Sequence, residues 1–290
     1  MASHVSNITL TEEHLALGGI LETKHTGNHS VKLPMRYTKP DEELSFLRHG
    51  CGITDISYTG LLVVHGSDAY DLVRAATTAL IPEVGQSCYT AVLTGDGALL
   101  SVVLLARTGD EEFLLLDTSN RFELLREWFM WLSHIEKDGV KPYKNAEVVD
   151  ETGALLPVQL TGPGAAAILN DYLGSDARLP YPGEIGMLKL DKIICIVCNC
   201  APSATAGKAY DAYKVLIPPA FATILWRSLL SFGQLEPVGL CAWHLYEQGY
   251  QPWLSALSQT DRISCARRTL TSWGLVRQGD DFIGARGLSE

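Results

Sequence analysis

Apolar residues in this chain come in short runs broken by glycine, and the period changes across each break. Leu61-Leu-Val-Val-His-Gly-Ser-Asp-Ala-Tyr-Asp-Leu-Val73 starts as a continuous apolar strand, turns at Gly66 and continues at helical spacing, with Ser67 as the expected N-cap. Leu155-Leu-Pro-Val-Gln-Leu-Thr-Gly-Pro-Gly-Ala-Ala-Ala-Ile-Leu169 repeats the design, with Pro163 at the expected first helical position. The turn glycines Gly66 and Gly162 lie 96 residues apart. Later segments match as well. Glu112-Phe-Leu-Leu-Leu-Asp-Thr-Ser119 leads into a helix over Leu124 to Leu132, and Ala212-Tyr-Lys-Val-Leu-Ile-Pro-Pro219 into one over Phe221 to Leu230. Strands at Ser87 to Leu93 and Ala98 to Ala106 flank Thr94-Gly-Asp-Gly97, a hairpin turn by composition. The pattern predicts an α+β fold built from two copies, residues 1–150 and 151–290, each an antiparallel sheet with helices laid on one face. Duplication of this kind leads us to expect a small-molecule pocket between the halves.

Composition narrows the function more than the fold. With 290 residues and 47% hydrophobic content, the chain has enough apolar surface for a full core. A net charge of −10, from 33 acidic and 23 basic residues, argues against nucleic acid as a partner. The opening Met1-Ala-Ser-His-Val-Ser-Asn-Ile-Thr9 lacks a charged segment followed by an apolar core, and no run approaches the roughly 20 residues that span a bilayer. The expected location is the cytoplasm. Seven scattered cysteines suggest free thiols. In Cys195-Ile-Val-Cys198-Asn-Cys200, strand alternation puts Cys195 and Cys198 on opposite faces, so no metal site is expected there.

The ordered motifs Lys32-Leu-Pro-Met-Arg-Tyr37, Gly52-Ile-Thr-Asp-Ile-Ser-Tyr-Thr-Gly60, Gly85-Gln-Ser-Cys-Tyr89, Gly97-Ala-Leu-Leu100, Leu160-Thr-Gly-Pro163, Gly239 with Glu247-Gln-Gly249, and Asp281-Phe-Ile-Gly284 run through nearly the whole chain. Together they resemble the glycine-cleavage T-protein, or aminomethyltransferase, and its folate-dependent demethylase relatives. The second motif is similar to that family's Gly-Leu-Phe-Asp-Val-Ser-His-Met-Gly. The resemblance implies a folate-binding-type duplicated α+β core without the family's small C-terminal barrel domain. It also implies tetrahydrofolate as cofactor and one-carbon transfer as the reaction, with a small-molecule substrate and no membrane partner.

The same resemblance assigns site positions. The family's working carboxylate falls at Ser101, the only hydrogen-bonding side chain between Ala98 and Ala106. The Asn after the next strand becomes Asp117, which would replace the missing negative charge if it faces inward. The pterin-clamping Glu becomes Lys214, an Arg becomes Cys241, and a Tyr after Glu247-Gln-Gly249 becomes Trp253, while Tyr89 is kept and would pack on a flat ring. Ser101 and Asp117 are thus the candidate catalytic pair, and Tyr58, Tyr89, Lys214, Cys241, Glu247 and Trp253 the candidate pocket. Each change also has a plain structural reading: Ser101 bonding a backbone carbonyl, Cys241 filling core, Lys214 facing solvent on an edge strand. Helical spacing would orient His244 towards Glu247. Two alternatives stand beside one-carbon transfer. One is a folate-independent enzyme of specialised biosynthesis using the same pocket. The other is a folate-binding iron–sulfur cluster maintenance protein, whose Lys-Gly-Cys-aromatic signature is absent around Cys265 in Ile263-Ser-Cys-Ala-Arg267.

Overall fold

The computed structural model describes residues 9–200, 211–258 and 262–289. Residues 1–8, most of the stretch searched above for a leader, lie outside the described residues. The fold is mixed α+β. A two-stranded hairpin pairs β1 (Ile20–Thr26) with β2 (His29–Arg36). One six-stranded sheet runs β10 (Ile185–Leu190), β11 (Ile193–Asn199), β12 (Ala212–Ile217), β9 (Leu156–Thr161), β3 (Cys51–Asp55) and β13 (Leu235–Pro237). The other runs β14 (Ile263–Ser264), β6 (Ala98–Gly109), β7 (Glu112–Asp117), β4 (Gly60–His65) and β8 (Glu147–Asp150), with β5 (Ser87–Leu93) paired to β6. Every named pair is antiparallel except β13 with β3.

The chain forms two compact units that do not coincide with the sequence halves. One comprises the described residues of Met1–Tyr58 and Gly153–Glu247, the other those of Thr59–Thr152 and Gln248–Glu290. Strand pairing accounts for the difference. β3 belongs to the first half by sequence but pairs with β9 of the second, Ile53 opposite Leu160, while β14 from the end of the chain pairs with β6, Ile263 opposite Leu99.

In the first unit, alternation sends Ile53, Val158, Leu160, Val197 and Val215 to one face, where α5 (Ala165–Asn170) and α6 (Ala222–Leu230) cover them with Leu169, Leu225, Trp226 and Leu229. Each such buried side chain stabilises the fold by about 1.5–3 kcal/mol. The rest of the unit includes α1 (Thr11–Ala16), α2 (Pro40–His49) and α7 (Leu240–Gln248). In the second unit, Leu62, Val64, Phe113 and Leu115 meet α3 (Ala69–Ala76) and α4 (Phe122–Ser133). Ala91, Leu93, Leu99 and Val102 pack instead with α8 (Trp253–Leu257) and with Leu270 of α9 (Arg267–Ser272).

The repeated turns are alike in detail, since Gly66 and Gly162 have φ of +105° and +119° and a Cβ at either would strike a backbone carbonyl, of Asn145 or of Gly50. Two capping expectations are corrected. α3 begins after Asp68 rather than Ser67, and the Asp68 carboxylate accepts from the Asn145 N–H at 2.8 Å instead of capping the helix. α5 begins at Ala165 with Gly164 at its N-cap, which leaves Pro163 one residue outside. No helix among the described residues is long and apolar enough to cross a membrane.

Candidate functional site

The face of the first unit's sheet opposite its apolar core carries polar side chains. Direct cross-strand pairing lines up Cys198, Lys214, Gln159 and Thr54 on four neighbouring strands, all buried. Lys214 therefore lies on an interior strand at 3% exposure, not on a solvated edge. Its Nζ donates to Gln159 Oε1 at 2.6 Å, and Gln159 Nε2 donates to Glu247 Oε1 at 2.9 Å and Thr161 Oγ1 at 3.0 Å. Glu247 and Trp243 come from α7, with the Lys214 ammonium 5.9 Å from the Trp243 ring centroid.

The start of α7 is fixed by Glu43. Its buried carboxylate accepts from the backbone N–H groups of Tyr37, Thr38 and Gly239 at 2.6, 2.8 and 2.8 Å. Gly239 must be glycine there, because a Cβ would run into the Met35–Arg36 backbone. On the same helix His244 turns to Tyr58 rather than along the helix, Nε2 lying 3.1 Å from the phenol oxygen. Burial, with the nearby Lys24 charge, lowers its pKa to about 4, so it is neutral at physiological pH. Cys241 is partly exposed on α7 and joins none of these contacts.

The second unit holds the candidate catalytic pair, and the structure brings its two members together. Ser101 Oγ donates to Asp117 Oδ2 at 2.7 Å, the Ser119 N–H donates to Asp117 Oδ1 at 2.7 Å, and Ser119 Oγ lies 3.2 Å from Ser101 Oγ. The Arg121 N–H bonds Ser119 Oγ at 3.1 Å, and Arg121 Nε donates to the Leu100 carbonyl at 2.6 Å. Desolvation raises the Asp117 pKa to about 6, against the lowering pull of the Ser119 and Ser101 hydrogen bonds. The result is a buried carboxyl group whose pKa lies well above the ordinary carboxylate range. Ser101 therefore bonds a carboxylate, not a backbone carbonyl.

Tyr89 and Trp253 also meet in this unit, with ring centroids 5.1 Å apart, and Gln251 Nε2 donates to the Tyr89 hydroxyl at 3.1 Å. They lie on the other side of the sheet from Asp117. Tyr89 sits opposite Leu104, and Leu104 opposite Leu116, so the next residue, Asp117, points the other way. Its partner across β4 is Gly60, where a Cβ would land in the Phe122 ring of α4.

Two clusters escaped the sequence reading. Gln159 carries a signal like that of Ser101, a polar residue between the apolar Val158 and Leu160 of its strand. His14 gives no local signal, yet it is buried with Nε2 2.8 Å from Asp55 Oδ2 and Nδ1 2.7 Å from the Tyr37 hydroxyl. Among the described residues, no group of three or more His, Cys, Asp or Glu side chains stands ready for a metal ion.

The sequence profile described as the GCVT N-terminal domain matches residues 10–266. The chain belongs to the GCVT N-terminal domain family. Among curated relatives, the aminomethyltransferase of Bacillus mycoides (strain KBAB4) is 26% identical over 219 residues, covering 73% of this chain and 56% of the relative. That of Bacillus cereus (strain B4264) is 26% identical over 215 residues, covering 72% and 54%. The chain thus spans about half the length of the curated relatives it matches. Among solved structures, the glycine cleavage system aminomethyltransferase T from Bartonella henselae superposes with a TM-score of 0.68 at 20% identity, over 96% of this chain and 72% of that one, a likeness of fold. Within this GCVT N-terminal domain, the six candidate pocket residues fall into separate groups, with Tyr58, Lys214, Cys241 and Glu247 in the first unit and Tyr89 and Trp253 in the second.

Proposed function

We propose that the protein is a T-protein-like one-carbon transferase, moving a methyl or methylene group between a small-molecule substrate and tetrahydrofolate. Asp117 carries the proposal. One-carbon transfer at an amine needs a group that takes and returns a proton near neutral pH, and a buried carboxyl titrating at about 6 is suited to that. Ser101 and Ser119 hold its two oxygens from fixed directions, which orients the carboxylate and steadies its ionised form.

The residues present fit a reduced folate in part. Tyr89 and Trp253 make an aromatic wall for a flat ring, and Gln251 fixes the Tyr89 hydroxyl. When bound, the cofactor supplies the nitrogen that accepts or releases the one-carbon unit. Asp117 and Tyr89 leave opposite faces of the sheet and cannot touch the same atom, so we assign the carboxylate to the proton of the reacting amine and the aromatic pair to a part of the folate away from the nitrogen that carries the one-carbon unit. Lys214 does not fit the N–H edge of a pterin, which needs acceptors. That misfit favours a second reading, a folate-independent enzyme handling another small molecule.

Titration with tetrahydrofolate, read by tryptophan fluorescence and calorimetry, tests the choice. Binding weakened by Tyr89→Ala but kept by Asp117→Asn, with transfer lost only in the latter, is the expected outcome. No binding at millimolar tetrahydrofolate would leave the folate-independent reading standing.

A further inference from the structure

The polar face of the first unit buries a lysine, Lys214. The only hydrogen bond the Lys214 ammonium makes among the described residues is the one to Gln159 Oε1, and no carboxylate there pairs with it. Two of its three N–H groups have no acceptor among the described residues. Thr54, directly opposite Gln159 in the cross-strand row, has a buried hydroxyl with no hydrogen-bond partner among the described residues. Trp243, whose ring lies beside Lys214, has a buried Nε1 that is likewise unpartnered. The nearest acidic side chain of the network, Glu247, has its Oε1 engaged by Gln159. Burial pushes the Cys200 thiol pKa up, but its contact with Cys198 and the Lys214 charge outweigh that and lower it, while no hydrogen bond among the described residues joins its sulfur to the Lys214 ammonium. Residues 201–210, outside the described residues, contain no Asp or Glu.

A buried ammonium with spare donors, next to an unpartnered hydroxyl and indole, is costly in a finished core and suited to receiving an anion. We infer that Lys214 is the anchor of a carboxylate-binding subsite, with Thr54 and Trp243 as supporting donors, and that the ligand of this face carries a carboxylate. Gln159 orients the ammonium, and the Trp243 ring supports its charge. The carboxylate belongs either to the small-molecule substrate or to the glutamyl tail of a folate. Only the choice of probes rests on the one-carbon reading.

The test uses the whole chain and two matched pairs of probes. N-methylglycine is compared with its amide, and 5-formyltetrahydrofolate with 6-methyltetrahydropterin, which lacks the glutamyl carboxylates. Calorimetry is expected to show tenfold or greater preference for the carboxylate-bearing member in at least one pair, collapsing in Lys214→Met and largely kept in Lys214→Arg. Preference in the first pair assigns the carboxylate to the substrate, and in the second to the folate tail. If neither pair is discriminated, or if Lys214→Met discriminates as well as the wild type, the inference is wrong. Lys214→Gln serves should the Met variant not fold. Binding is read without turnover, so a protein that selects carboxylates but transfers no one-carbon unit loses the transferase reading and keeps this one.

Discussion

Replacing Ser101 by Ala removes one hydroxyl, and the cost should depend on pH. The Asp117 pKa rises from 3.8 to about 6 on folding, a difference of about 2 units, or about 3 kcal/mol. Because the folded value is the higher one, this stability is fully present below about pH 4 and is lost as pH climbs through about 6. At pH 8 the carboxylate is ionised, and the Ser101 hydroxyl donates to a charge, a bond worth about 1.5–3 kcal/mol. At pH 4.5 the carboxyl is protonated, and the same contact is worth about 1 kcal/mol. Ser101→Ala should therefore destabilise by about 0.5–2 kcal/mol more at pH 8 than at pH 4.5, and raise the Asp117 pKa accordingly. Urea unfolding of wild type, Ser101→Ala, Asp117→Asn and the double variant at both pH values measures this, with the carboxyl carbon of Asp117 followed by NMR. In the Asn background the pH dependence of the serine effect should vanish. An equal cost at the two pH values would refute the coupling of Ser101 to an ionising Asp117.

Three further outcomes follow from the packing and the charges. His14→Ala leaves the buried Asp55 Oδ2 without its partner, while the Ser57 N–H still serves Oδ1, and should cost about 1–3 kcal/mol in urea unfolding, whereas no measurable loss would show the contact to be idle. Gly60→Ala drives a methyl group into the Phe122 ring and should cost about 1–3 kcal/mol, a penalty that Gly60→Ala combined with Phe122→Leu should reduce. The His244 imidazole should titrate by NMR with a midpoint of about 4, since the pocket disfavours its charged form. A midpoint near 6.5 would mean that it is open to water.

The periodicity of the chain was enough to read most elements and the paired Gly66 and Gly162 turns, because those depend on neighbours in sequence. Partner choice among strands does not. Nothing local to Cys51–Asp55 says that it pairs with β9, and that pairing places residues 153–247 with the first 58 residues in one unit. The candidate site was legible to the same degree. Ser101 stood out as a lone hydroxyl in an apolar strand, and its bond to Asp117 follows from the β6–β7 hairpin. Lys214 read equally well as an edge residue, since only the flanking strands β11 and β9 show that it is interior. That Tyr89 and Asp117 face opposite sides was beyond reach, because it turns on the register of two adjacent pairings.

The most direct test of the central claim follows the one-carbon unit itself. The whole chain is incubated with tetrahydrofolate and a panel of aminomethyl and N-, O- and S-methyl donors, and the recovered folate is read by mass spectrometry for an added methyl or methylene group. Wild type is predicted to load the folate from at least one donor, and Asp117→Asn to bind folate without loading it. Loading by Asp117→Asn at the wild-type rate, or none by wild type while tetrahydrofolate is bound, would contradict the account.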